Sequence, residues 1–337
     1  MKNLLYCWVA IISVCVACNK EPDEPDVPVM TMTMNRNSYS VGILLSGSGT
    51  AIIDWGDGTE IETHLLMPYN AFDWDNRNNK YMYGHHVLSW SENTPIITIK
   101  GADITHLRCN YGVLDLDVNK NTGLKFLDCS RNQLTSLNIS NNTDLESLYC
   151  EDNLLTNLEV RLHTALKNLF CSNNQLISLD ISDNTKLENL HCGNNQLESL
   201  DVSNHTALKD LVCGNNQLMR LDVHNNTLLT RLNCFDNQLT SLDVSNNTAL
   251  TELEFGINSI EKLDAGNNPA LARIGCRTNG LSADALNVLF ETLHDNYIDY
   301  KIILIGDNPG TDACDRSIAT SKGWSVQSYS YSYSFLY

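Results

Sequence analysis

The chain lacks the short motifs that mark common catalytic centres: there is no glycine-rich phosphate loop, no His-Glu-x-x-His and no Gly-x-Ser-x-Gly. Phosphate cradling, zinc hydrolysis and nucleophile-elbow chemistry are therefore not written into it, and the chain reads as a binding protein, not an enzyme. The 9 histidines are scattered, with His85-His86 an isolated pair best placed on a strand or loop surface. Positive charge is also scarce, with 22 Lys and Arg against 40 Asp and Glu, a net charge of -18 over 337 residues. A field of that sign repels nucleic acid and anionic headgroups, which excludes DNA and RNA as partners. Long apolar runs are missing too. The stretch from Leu4 to Ala17 holds one serine and stops at Cys18, too short to span a bilayer and suited to the core of a signal peptide.

The end of that stretch, Cys15-Val16-Ala17-Cys18, resembles a bacterial lipobox, with Cys15 in the place usually held by leucine. The resemblance implies a signal peptide over 1–17 and a lipid on Cys18, which would tie the protein to the membrane. Residues 18–27 are rich in acid and proline and bury no apolar surface, so they read as a solvated tether. The acidic run after Cys18 also resembles the signal that sends Bacteroides-type lipoproteins to the outer face, which implies an outer-membrane, cell-surface location. The alternative is a cleaved, freely exported chain.

What the sequence has in abundance is a repeat. L-x-x-L-x-C-x-x-N-Q-L-x-x-L-x-V-S-x-N-T-x returns every 21 residues, its first leucine at Leu124, Leu145, Leu166, Leu187, Leu208, Leu229, Leu250 and Leu271, with a degenerate copy opening near Ile104. A fixed period of this length predicts a solenoid whose coils stack on their neighbours. Within each coil L-x-C alternates with period two, which predicts a short strand with leucine and cysteine inward. Stacking turns every position into a ladder. Asn132, Asn153, Asn174, Asn195, Asn216, Asn237, Asn258 and Asn279 form one, placed where the chain must leave the strand and leave backbone groups unpaired. The second half, as in Leu134-x-x-Leu137-x-Ile139-x-x-Asn142, predicts extended backbone on the convex side, and His163 and His205 replace asparagine there as turn-satisfying groups, not metal ligands.

Cys109, Cys129, Cys150, Cys171, Cys192, Cys213, Cys234 and Cys276 share one inward slot, and Phe255 takes it in the coil without a cysteine. A slot that accepts a phenyl ring asks for apolar volume, and free cysteine behaves as a small hydrophobe, so reduced thiols are expected. One cysteine per coil is the wrong spacing for zinc. This repeat resembles the internalin-type leucine-rich repeats of bacterial surface proteins over roughly half the chain. The resemblance implies adhesion to a protein or glycan through the concave sheet, without naming the ligand.

The flanks complete the expected fold class: mainly β, a leucine-rich-repeat solenoid over 103–281 with an N-terminal β-sandwich over 28–102 and a small α/β cap over 282–337. Asp57-Gly58 lies between extended runs and predicts a tight hairpin turn, and Lys80 to Tyr83 and Pro95 to Lys100 are strand-like. Trp55-Gly56-Asp57-Gly58-Thr59 is similar to the signature of polycystic-kidney-disease domains, small β-sandwiches. Asp54 and Asp57 alone make a poor calcium site, so a turn is expected of them. After the repeats Ser282 caps a predicted helix carrying Leu286, Leu289, Phe290 and Leu293. Strands follow at Tyr300 to Ile305 and Gly323 to Val326, and an alternating aromatic tail runs over Tyr329 to Tyr337.

Recognition has to sit on outward positions. The central outward slot reads Asp128, Tyr149, Phe170, His191, Val212, Asn233 and Glu254, with Phe126 and Phe235 as flanking rings. This row varies from coil to coil and holds three consecutive rings, suiting contact with a sugar face or a protein surface. Ring stacking that only stabilises the sheet is the alternative use. On the opposite side Asp180, Asp201, Asp222 and Asp243 stack like charges, which local turn bonding would relieve without calcium. The expected function is a monomeric surface protein that binds a protein or glycan, with no cofactor and no metal; the alternative is a passive spacer.

Overall fold

The computed structural model describes residues 27–35, 40–68, 82–87 (backbone only) and 96–328. The leader to Ala17, Cys18 and the tether to residue 26, Lys80, Tyr81, the His85-His86 side chains and the Tyr329 to Tyr337 tail lie outside the described residues.

Period-two alternation builds the N-terminal strands. In β1 (Val29–Met34) the inward face is Met30, Met32 and Met34, all buried. β2 (Ser40–Ser48), β3 (Thr50–Asp54), β4 (Glu62–Leu65), β5 (Met82–Val87) and β6 (Ile96–Lys100) follow, and the first coil adds β7 (Asp103–Asn110) and β8 (Val113–Asp117). These strands divide between two sheets. One runs β4-β3-β6-β1-β8, and in the other β2 lies antiparallel to both β5 and β7. Because β7 is also parallel to the first repeat strand, the N-terminal strands extend the solenoid's own sheet and pair its otherwise open edge.

The turn between β3 and β4 is wider than the tight hairpin expected, since Ile53 pairs with Glu62 across it. Asp54 accepts a hydrogen bond from the Gly56 amide at 2.9 Å and Asp57 from the Thr59 amide at 3.0 Å. Both carboxylates thus serve the turn. Gly56 has φ +71°, and a Cβ there would meet the Ile96 carbonyl oxygen at 2.2 Å, so the loop needs glycine at that point.

Each repeat contributes one three-residue strand: β9 (Phe126–Asp128), β10 (Ser147–Tyr149), β11 (Asn168–Phe170), β12 (Asn189–His191), β13 (Asp210–Val212), β14 (Arg231–Asn233), β15 (Glu252–Glu254) and β16 (Arg273–Gly275), all parallel and in register. Leucine and cysteine point inward as the alternation predicts, with Leu148, Leu169 and Leu190 fully buried. Burying each such leucine contributes roughly 1.5–3 kcal/mol, so the ladder of apolar rows carries the fold. The eight buried cysteines are free thiols.

The asparagine ladder closes the coil-to-coil turns. Asn153 donates to the carbonyls of Cys129 and Cys150 at 2.9 and 3.1 Å and accepts from the Leu134 amide at 3.0 Å. The second ladder does the same for the far turn, with Asn184 donating to Val160 and His163 carbonyls. His163 and His205 are buried and face backbone carbonyls. The convex side does not pair into a continuous ladder. Among the described residues its one β-bridge joins Asp117 and Asn138, and each second half ends in a turn such as Asn142 N–H to Ile139 O at 2.8 Å. The chain must reverse there to return to the next strand, which leaves no length for a second ladder.

At the C-terminus Ser282 accepts the Ala285 amide at 3.1 Å and caps α1 (Ala283–Thr292), whose Leu286, Leu289 and Phe290 are buried. β17 (Lys301–Leu304), the short α2 (Ser317–Thr320) and β18 (Trp324–Gln327) follow, and β17 and β18 extend the repeat sheet in parallel. Asn308 joins the asparagine ladder, accepting from the Asn279 amide at 3.0 Å and donating to the Cys276 carbonyl at 2.9 Å. The Lys322 ammonium seats on the last carbonyls of α1, at 2.8 Å from Leu293 O, where the helix dipole favours a cation.

Candidate binding groove

The solvent face of the repeat sheet is not uniform. From β7 through β12 its side chains form a continuous stack of rings. The His106 and Phe126 centroids lie 5.7 Å apart, Phe126 and Tyr149 5.3 Å, Tyr149 and Phe170 4.6 Å, and Phe170 and His191 4.3 Å. Tyr149 and Phe170 are nearly parallel, at 14°. Each therefore sits between two rings, with Phe126 tilted by 36° on Tyr149 and His191 by 56° on Phe170. Burial and nearby Lys125 hold the His106 imidazole down at about 4, so it enters the stack uncharged at neutral pH.

Beyond His191 the same face becomes ionic. Its Nε2 lies 3.0 Å from Asp210, Arg231 reaches Asp210 at 3.6 Å and Glu252 at 3.4 Å, and Arg273 donates to Glu254 at 2.8 Å. Burial pushes the Glu254 carboxyl above the usual range, and Arg273 opposes the shift.

Alongside the rings runs a groove of about 560 Å³. Tyr149, Phe170, His191 and Val212 form one wall. Its floor is Glu151, Ser172, Gly193 and Gly214, one residue past each inward cysteine, and its other wall is Asp152, Asn173, Asn194 and Asn215. That second wall has left-handed backbone, with φ of 54°, 56°, 53° and 53°, a region that Asn and Asp tolerate better than most residues. The glycines open the floor; a Cβ at Gly193 would press on the Gly214 carbonyl oxygen at 3.0 Å.

Of the expected contact residues, Tyr149, Phe170, His191 and Val212 line the groove with part of their surface exposed, and Phe126 and Glu254 are half-buried beside it. Asp128 and Asn233 also line the groove, but they and Phe235 offer it little surface. Asp128 is 4% exposed because its carboxylate is taken by Arg108 and by the Ser130 amide at 3.1 Å. Asn233 is 3% exposed and accepts the Phe235 amide at 3.1 Å. Phe235 is buried, with the Arg277 guanidinium 4.7 Å over its ring. Outward alternation placed them correctly, but neighbouring coils cover them.

Sequence reasoning missed the floor and the far wall. The signal was present: the two positions after each cysteine also change from coil to coil, through Ser130-Arg131, Glu151-Asp152, Ser172-Asn173, Gly193-Asn194 and Gly214-Asn215.

On the opposite side Asp180, Asp201, Asp222 and Asp243 are exposed, and each accepts the amide two residues on, at 2.9–3.1 Å. The bonds from Ser182, Ser203 and Ser245 hold Asp180, Asp201 and Asp243 below the ordinary carboxylate range. Local turn bonding is thus what relieves the row. Among the described residues no three His, Cys, Asp or Glu side chains gather in a way that holds a metal ion, and no helix is long and apolar enough to cross a membrane.

No protein-family profile and no curated protein matches the chain. Solved structures do. The functional domain of InlJ from Listeria monocytogenes, which includes a cysteine ladder, is 28% identical with a TM-score of 0.42, over 66% of this chain and 58% of that one. This chain thus spans less than two thirds of the InlJ domain. An internalin, InlF, from Listeria monocytogenes is 24% identical with a TM-score of 0.47, over 61% of this chain and 71% of that one. The leucine-rich-repeat chain of FLRT2, in an octameric complex with Latrophilin 3 and Unc5D, is 22% identical with a TM-score of 0.50, over 61% and 71%. The last establishes the leucine-rich-repeat fold.

Proposed function

We propose that this chain is a non-enzymatic binding protein that holds a protein partner in the groove on the concave face of its repeat sheet. The observation that carries this is the ring stack. Tyr149 and Phe170 spend their faces on neighbouring rings, so a sugar finds no open platform, whereas ring edges and a half-apolar trench suit apolar side chains of a protein. The FLRT2 chain of the same fold sits in a multi-protein complex, which agrees with such a role. The lipobox-like segment supports a lipid on Cys18 and display of a monomer at the outer-membrane surface, with the strands of 28–102, whose Trp55 segment is similar to polycystic-kidney-disease domains, shielding the solenoid's first coil.

Screening the protein against host matrix proteins and glycans, beside a Tyr149→Ser, Phe170→Ser, His191→Ser variant, tests the reading. A protein ligand bound by the parent and lost by the folded variant supports it. Binding of glycans alone overturns the choice of partner, and binding by neither leaves the passive spacer. A Cys18→Ser chain that still partitions with membranes removes the lipid anchor from the reading.

A further inference from the structure

The groove's charges are almost all satisfied within the fold. Arg108 pairs with Asp128, Arg131 lies 3.7 Å from Asp152, and Arg231 is held by Asp210 and Glu252. Glu151 differs. Its half-buried carboxylate accepts one hydrogen bond, from the Ser130 hydroxyl at 3.2 Å, and among the described residues no Lys or Arg forms an ion pair with it, although Arg131 and His191 lie near enough to act on its charge. A partly desolvated carboxylate without a counter-ion is costly and is relieved by an incoming cation. Burial, with the nearby Asp128 and Asp152 charges, raises its affinity for a proton, and the Ser130 hydrogen bond and His191 oppose the shift.

The far wall has its own unused groups. Asn194 and Asn215 are half-buried, and among the described residues no side-chain hydrogen bond engages either amide. Each amide offers a donor and an acceptor that suit the main chain of an extended segment. Gly193 and Gly214, which carry no side chain, line the same trench. A trench of about 560 Å³ is of the size that takes a short segment, not a flat folded face, and the net charge of -18 draws basic partners toward it.

We propose that the groove takes an extended, basic segment of the partner, with a Lys or Arg side chain against Glu151, an apolar side chain against the edges of Phe170 and Val212, and its main chain along the amides of Asn194 and Asn215. This rests on the groove being the recognition surface and names the chemistry of what enters it.

The test uses labelled octapeptides that alternate leucine with arginine, with serine or with glutamate, titrated with the whole protein by fluorescence anisotropy. The arginine peptide binds, and the serine and glutamate peptides bind at least about tenfold more weakly. Glu151→Gln, which keeps an acceptor for Ser130, and Asn194→Ala each weaken the arginine peptide by roughly tenfold, while Asp243→Asn on the opposite side changes nothing. The proposal is overturned if no arginine peptide binds, if the serine peptide binds equally, or if Asp243→Asn weakens binding as much as Glu151→Gln, since diffuse attraction to an acidic chain then explains it. Should a matrix protein still be lost in the triple ring variant while every peptide fails, concave recognition survives and the basic segment does not.

Discussion

The side-chain oxygen of Asn195 accepts the backbone amide of Leu176, one coil earlier, at 3.0 Å. The same side chain donates to the Cys171 and Cys192 carbonyls at 3.1 Å, so one amide satisfies backbone from two coils. Replacing Asn195 by alanine leaves the Leu176 amide without a partner and costs on the order of 1–3 kcal/mol. Asn195→Asp keeps the acceptor but loses both donated bonds, so it destabilises as well. Urea unfolding of the two variants measures this, and a change below roughly 0.5 kcal/mol in both would mean that the ladder does not hold the turns.

Ile257 occupies the left-handed slot, at φ 50°, that Tyr, Arg, Asp, Asn or Thr takes in the other coils. A β-branched side chain is poorly suited to that region. Ile257→Asn is expected to raise stability by about 1 kcal/mol, seen as a higher Tm. A lower Tm would show that packing of the half-buried isoleucine outweighs the backbone strain.

Burial pushes the Cys192 and Cys234 thiols up to about 12 and raises the other cysteines of the slot as well. Below the ordinary thiol range both folded and unfolded chains keep these protons, and stability is unaffected. Above it the unfolded chain releases protons that the folded chain retains, so stability falls with rising pH, by up to about 1.4 kcal/mol per pH unit for each cysteine. The urea midpoint should drop steeply between about pH 9 and 11, and less steeply in a Cys192→Ala, Cys234→Ala variant. Equal slopes would sever the link to the thiols.

Gly310 packs against the start of α1, where a Cβ would stand 2.2 Å from the Ala283 amide nitrogen. That atom is backbone and cannot step aside without moving the helix. Gly310→Ala therefore costs on the order of 2–4 kcal/mol and raises amide exchange in α1 and β17 first. Uniform exchange across all the coils would instead make the cap and the repeats one cooperative unit.

The coil, its inward leucine and cysteine rows and the asparagine ladder were legible in the sequence, because each follows from residue types at fixed offsets within one repeat. Alternation alone decides that Leu148 and Cys150 face the interior, and the 21-residue return decides that they stack on Leu169 and Cys171. Asn308 escaped notice because it stands 29 residues after Asn279 and so breaks the period, although it too accepts the amide two residues past the preceding asparagine, that of Leu281, at 3.4 Å and donates to the Cys276 carbonyl. The groove was decided by the tertiary structure. An outward position is exposed only if the side chains of adjacent coils leave it so, and those neighbours come from three separate stretches of chain. They bury Asp128, Asn233 and Phe235, set the rings of Tyr149 and Phe170 against each other, and among the described residues leave Glu151 without an ion pair in a trench lined by Gly193 and Gly214.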